Sequence, residues 1–235
     1  MKPTLIFLLF ALLFTESLKS QGGNSSGLPM GPQPLPIFPE DINGRPLTYK
    51  GIEDIEGSPF LFNDWNWGAV KFRDGRFAKD LSLQFNIYNN QLYFKKDGKQ
   101  MEFVLPVAEF MIKYSSGNDS STVIYRCGYP ETEKTSSITF FELLSDGKMQ
   151  LLKYRSKQID TDKPFNQAER KKFSDWHQLY VNIDRKLIKL KKDKEFIIGI
   201  LPVYKDAILS IVDQKKLKLK NDEDVVKLFE ELNRK

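Results

Sequence analysis

Between residues 69 and 114 the apolar side chains fall on every second position. Leu81, Leu83, Phe85 and Ile87 make one run, and Leu92 and Phe94 open the next. A period of two places one side of a strand in a core and the other in water. Small polar pairs separate the runs: Asp74-Gly75, Asn89-Asn90 and Asp97-Gly98. Such pairs suit tight hairpins, because a type I′ turn needs positive φ at both central residues. The pattern predicts strands over 69–73, 76–88, 91–96, 100–105, 109–114, 122–129, 137–144 and 148–154, and a further hairpin over 178–183 and 187–191 around Asp184-Arg185. Leu105-Pro106 is expected to end a strand or form a bulge, since proline cannot donate to a ladder. The polar stretch 156–175, with Pro164, is expected to be irregular.

After residue 192 the period lengthens. Asp193 is placed to cap a short helix reaching Leu201, and Pro202 suits the first turn of the next. Val203, Ala207, Ile208, Ile211 and Val212 recur at helical spacing. Asn221 is placed to cap a last helix with an acidic first turn (Asp222, Glu223, Asp224), basic residues at its end and a stripe of Val225, Leu228, Phe229 and Leu232. These features suit the helix dipole and one buried face. The predicted fold is α+β, mostly β: an antiparallel β-meander of about 8–10 strands, either a curved sheet or an up-and-down barrel, with the C-terminal helices packed on it.

Residues 1–20 read as a signal peptide. Lys2 precedes ten unbroken apolar residues, 5–14, which is the length of a signal core and half of what a membrane span needs. Residues 21–48 are dense in Gly, Pro, Ser and Asn and read as a flexible lead-in, extended around Pro32, Pro34, Pro36 and Pro39. The expected division is therefore 1–20 signal, 21–48 lead-in, 49–192 β-meander and 193–235 helical segment. The predicted location is exported, periplasmic or at the cell surface. Charge is uneven along the chain. Residues 21–147 carry 12 basic and 16 acidic side chains, and residues 148–235 carry 22 and 14. A C-terminal third of net charge +8 can make weak contact with anionic surfaces. Export would remove nucleic acid as a partner.

Little catalytic chemistry is legible. His177 is the one histidine and Cys127 the one cysteine, so a cysteine–histidine zinc site and an intramolecular disulfide are excluded by count. No nucleophile motif adjoins His177, and Cys127 is expected to be buried in a strand. No phosphate-binding loop is present, and no cofactor is expected. Trp65 and Trp67, two residues apart, are the candidate ligand-binding residues: on a strand they would share a face, where they would stack on a sugar or another flat group or else plug the end of the sheet. Asp64, with Glu109 or Glu142 opposite, is the pair a glycosidase would use. Asn118-Asp119 is a weak calcium candidate.

The run from Gln84 to Leu92 (QFNIYNNQL), the leader, and the tail of Lys-rich strand, Pro-broken helix and final helix ending at Leu232-Asn233 resemble a group of small exported proteins of Bacteroidetes-type bacteria. The resemblance covers most of residues 55–235. It implies location and architecture, since the group has no assigned activity, and it carries over no site residue. The leading expectation is an exported, non-enzymatic module that binds a protein or envelope component. The alternatives are a carrier of small apolar ligands with a lipocalin-like barrel and a carbohydrate-active hydrolase with paired carboxylates.

Overall fold

A computed structural model describes residues 35–47, 54–117, 119–163 and 168–234. The leader lies outside these residues. The strands are β1 (Gly44–Pro46), β2 (Ile55–Glu56), β3 (Asn66–Phe72), β4 (Phe77–Asn86), β5 (Gln91–Lys96), β6 (Lys99–Phe103), β7 (Val107–Ser116), β8 (Asp119–Arg126), β9 (Phe141–Ser145), β10 (Gln150–Asp162), β11 (Arg170–Ile183) and β12 (Lys186–Lys189). Three helices follow: α1 (Lys194–Ile200), α2 (Lys205–Lys215) and α3 (Asp222–Asn233). The strands form one sheet in the order β1-β6-β5-β4-β3-β7-β8-β9-β10-β11-β12, antiparallel throughout except that β2 pairs parallel with β11. The sheet is not closed into a barrel.

The expected alternation is present. Leu81, Leu83, Phe85, Ile87, Leu92 and Phe94 are all buried. Asp97 and Gly98 both take positive φ, as the I′ turn requires. From β3 onward the chain departs from a simple meander once, at Pro106. There β7 pairs with β3 instead of β6, four places along the sheet. Four inter-strand steps would span about 19 Å in a flat sheet. The link from Phe103 to Val107 reaches at most about 15 Å. The sheet must therefore curl, and Phe72 of β3 meets Phe103 of β6 with ring centroids 5.8 Å apart.

Cross-strand register identifies the concave side. Val70, Phe110, Tyr125, Glu142, Lys153 and Leu179 follow one another across β3, β7, β8, β9, β10 and β11. Two hydrophobic clusters occupy this inner face. One gathers Leu83, Phe85, Phe94, Phe110 and Ile112. The other joins Leu151, Leu179 and Val181 to the helices through Ile197, Ile208, Ile211, Val225, Leu228 and Phe229. Asp193 and Asn221 cap α1 and α3, accepting from Phe196 N and Asp224 N, each at 2.8 Å. Val203 stands outside the helical stripe expected of it and is 91% exposed, because Pro202–Tyr204 forms a separate 3-10 turn ahead of α2.

Three segments differ from the sequence expectation. Residues 156–162 and 170–175 are strand, paired one to one from Lys157–Asp175 to Asp162–Arg170. Their polarity concealed this: the far half of the hairpin stands clear of both cores, so neither of its sides needs to be apolar. Residues 137–140 precede β9 instead of joining it. Residues 35–47, within the expected lead-in, lie on the sheet. Ile42 is 1% exposed, Pro36 bridges to Phe77, and β1 pairs with β6.

The end of α3 is fastened to the β9–β10 turn by Asn233. Its amide donates to Met149 O (2.7 Å) and Ser145 Oγ (3.0 Å) and accepts from Met149 N (3.1 Å). Gly147 makes room for it, since a Cβ there would lie 2.6 Å from Asn233 Cγ. Asn233→Ala strips partners from the buried Met149 backbone and should cost about 2–4 kcal/mol in urea denaturation. At the other hairpin end, Arg185 holds φ +59° without glycine's freedom. Arg185→Gly should raise stability by about 0.5–1 kcal/mol in the same measurement.

Candidate functional site

Between the two apolar clusters the inner face turns polar. Along β10 the inward positions read Leu151, Lys153, Arg155, Lys157 and Ile159, and their partners on β11 read Val181, Leu179, His177, Asp175 and Phe173. A charged seam thus separates two cores on one face of one sheet. Three carboxylates hold it. Asp222, the first residue of α3, accepts from Lys153 (2.8 Å) and Lys192 (3.1 Å) and meets His177 Nε2 at 3.3 Å. Glu142 pairs with Arg155 Nε. Asp175 pairs with Lys157 at 2.8 Å.

Asp222 is the helix-to-sheet anchor. Burial pushes its carboxyl up, but the hydrogen bonds from Lys153 and Lys192 more than reverse this, and its pKa lies below the ordinary 3.8. Beneath Glu142 and Arg155 lies Tyr125, fully buried, with ring centroids 4.9 Å from Phe85 and 5.1 Å from Phe110. Burial, followed by the Glu142 charge, holds its phenol well above the usual range. The Arg155 guanidinium reaches toward its hydroxyl and partly offsets this rise.

One segment bridges two distant strands of the curled sheet. Residues 55–56 pair with β11, and a few residues later Pro59 O accepts from Ile87 N (3.0 Å) while Leu61 N donates to Phe85 O (2.9 Å). This strap, residues 55–61, thus runs from β11 to β4. Two clefts flank it, and Lys157 lines both. The wider, about 680 Å³, is bounded by Ser58, Phe60, Gln84 and Phe173. The narrower, about 280 Å³, is bounded by Phe62, Tyr114, Val123, Glu142, Arg155 and Asp175. Phe62 and Tyr114 stack there at 4.4 Å and form a flat aromatic wall.

The residues singled out from the sequence are dispersed. Trp67 sits on β3 facing outward and is 65% exposed, paired with Ser82 and Lys113. Trp65 precedes the strand and lies under the Lys95 ammonium, 4.8 Å from its ring centre. Neither borders the clefts. Asp64 is exposed, before β3. Glu109 and Glu142 are both buried but lie on opposite faces of the sheet, so Asp64 can face at most one of them. Each is held by its own arginine. On the outer face Glu109 pairs with Arg126, which also reaches Asp146 at 3.2 Å. Burial works against the Arg126 charge, but the two carboxylates more than restore it and hold its pKa above the ordinary value. Cys127 is half-buried and donates to Val107 O. Asp119 is exposed, and Asn118 lies outside the described residues. Among the described residues no cluster of three or more His, Cys, Asp or Glu could hold a metal ion, and no helix is long and apolar enough to cross a membrane.

The seam residues Lys153, Arg155 and Lys157 were not singled out from the sequence. The available signal was their spacing of two, continuing the predicted strand 148–154. Comparison with protein-family models, with curated proteins and with solved structures gives no match.

Asp222 makes a pH prediction. Its folded pKa lies below the unfolded 3.8, so its contribution is complete at neutral pH and is lost as pH falls from about 4 through the folded value. Asp222→Asn should cost about 2 kcal/mol at pH 7. It should also flatten the fall in stability below about pH 4, as read by denaturant midpoints across pH.

Proposed function

We propose that this chain is an exported, non-enzymatic binding protein and that its ligand site is the strap-flanked seam on the concave face. The observation that carries the reading is the pair of clefts meeting at Lys157, with charged donors on the floor and aromatic rings on the wall. Ligand sites combine apolar lining with a few placed polar groups in this way. The apolar leader supports export. The reading as a binder rather than a catalyst is supported by the engagement of the groups a mechanism would need: His177 with Asp222, Glu142 with Arg155, and Glu109 with Arg126. The narrower cleft borders one apolar cluster through Ile87 but also carries four charged side chains, Glu142, Arg155, Lys157 and Asp175, which favours a ligand with a charged group over the wholly apolar cargo of a carrier.

Val123 offers a direct test, because it borders the narrower cleft and its replacement by tryptophan would fill much of that space. The full chain, incubated with a small-molecule extract of an envelope fraction and examined by native mass spectrometry, should retain a ligand mass that Val123→Trp loses while keeping the wild-type circular dichroism. Equal retention by both proteins would move the site elsewhere. Retention by neither, across extracts, would count against a small-molecule binder.

A further inference from the structure

The seam has a donor surplus. Lys157 is 14% exposed, yet its one hydrogen-bonded counter-charge, Asp175, is 80% exposed. A shielded ammonium has three N–H donors and Asp175 satisfies one. Arg155 commits its Nε to Glu142 and reaches toward the Tyr125 hydroxyl, and a guanidinium with five N–H donors keeps several to spare. Both side chains border the narrower cleft. The acceptors there are less available. Glu142 is 10% exposed and taken by Arg155, while Asp175 is an exposed carboxylate whose pair with Lys157 is of the weak, solvent-screened kind.

We infer that the narrower cleft binds a small organic carboxylate with a flat apolar body, the carboxylate bridging Arg155 and Lys157 and displacing Asp175, and the body lying against the Phe62–Tyr114 wall. This rests on the reading of the seam as the ligand site and names its ligand class. Each part of such a ligand answers one feature of the cleft. A planar carboxylate matches the terminal fork of the arginine. Lys157 adds a point charge beside it. Asp175 acts as a placeholder that keeps Lys157 paired when the site is empty, and its exposure lets it swing into water at little cost. A volume of about 280 Å³ stands near the lower end for small-molecule sites and limits the body to one or two rings. The stacked pair supplies an aromatic face for those rings.

Three isosteric probes test this by calorimetric titration into the full chain: 2-naphthoate, 2-naphthylmethanol and 2-naphthylmethylamine. The naphthoate should bind about tenfold or more tightly than the alcohol, and the amine should not bind. Lys157→Met should lower naphthoate affinity about tenfold or more. Asp175→Asn should raise it about two- to fivefold, since it removes the competing carboxylate. That gain has the opposite sign to the loss expected if Asp175 merely supported the fold or held a cation. Arg155→Met leaves Glu142 unpaired and could unfold the strand, so Lys157→Met and Asp175→Asn are the deciding variants. Equal binding of naphthoate and alcohol, or a loss with Asp175→Asn, overturns the carboxylate assignment and leaves the cleft as the ligand site. Binding of the naphthoate that is unchanged in Val123→Trp overturns the cleft itself. Absence of naphthoate binding overturns the assignment of ligand class, whatever extract ligand the wild type retains.

Discussion

The shortness of one connection governs this fold. Residues 104–106 carry the chain from β6 to β7, four strand positions away, and a flat sheet would leave that distance uncovered. Curvature follows from chain length alone, before any side chain is considered. Pro106 suits the place, because a residue without an N–H loses nothing where the ladder is already interrupted, and its carbonyl is taken by Arg73 N at 2.9 Å. The curl gives the sheet an inside. One end of that inside closes on itself through Phe72, Phe94 and Phe103. The other is too open to do so and is covered by three helices. The strap, bonded to both β4 and β11, crosses between the two halves without completing a barrel.

Two cores on one face imply a seam, and its chemistry decides how the halves are coupled. Through Asp222 the helical layer is tied to the sheet by charge as well as by apolar contact: α3 presents its stripe to Leu151, Leu179 and Val181 and its first carboxylate to Lys153. The placement agrees with the helix dipole, since an acid belongs in the first turn. Asn233 repeats the arrangement at the opposite end of the same helix with neutral bonds. A 12-residue helix is thereby pinned at both termini, and its register on the sheet is fixed twice over.

The parts of this arrangement that local rules determine were legible in the sequence. Leu83, Phe85, Leu92 and Phe94 announce their strands because a half-buried strand must alternate, and Val225, Leu228, Phe229 and Leu232 announce α3 for the corresponding helical reason. Asp193 and Asn221 declare their caps. What was not legible depends on contacts between distant positions. That β7 joins β3 instead of β6 cannot be seen in residues 104–106, which read as an ordinary strand end. That Lys157 and Asp175 face each other across a strand pair is hidden by a segment polar on both sides, for which period-two reading has no contrast to detect. Ile42 sits in a Pro- and Gly-rich stretch whose composition indicates mobility, and only the groove made by the curled sheet gives it a place to be buried. Trp65 and Trp67 drew attention by residue type, but Trp65 precedes β3 and the direction of Trp67 is set by the register of that strand. That register turns Gly68 and Val70 inward, with no room for a Cβ at residue 68, where one would lie 2.2 Å from Met111 O.

Stability alone does not account for the seam. Ion pairs in partly dry surroundings return little more than their desolvation costs, and well-packed apolar side chains of similar size do as well or better. Apolar residues at 153, 155 and 157, with Glu142, Asp175 and Asp222 made apolar as well, would merge the two cores into one and remove the desolvation cost of both partners in each pair. Nor are the charges needed for register, which thirteen consecutive residue pairs between β10 and β11 already fix. Polar groups kept where packing would favour apolar ones, beside an aromatic wall and below a strap, are what a ligand site requires: donors held in place by partners that can let go. Under the binding reading, the energy given up along β10 is the reason the concave face stays open.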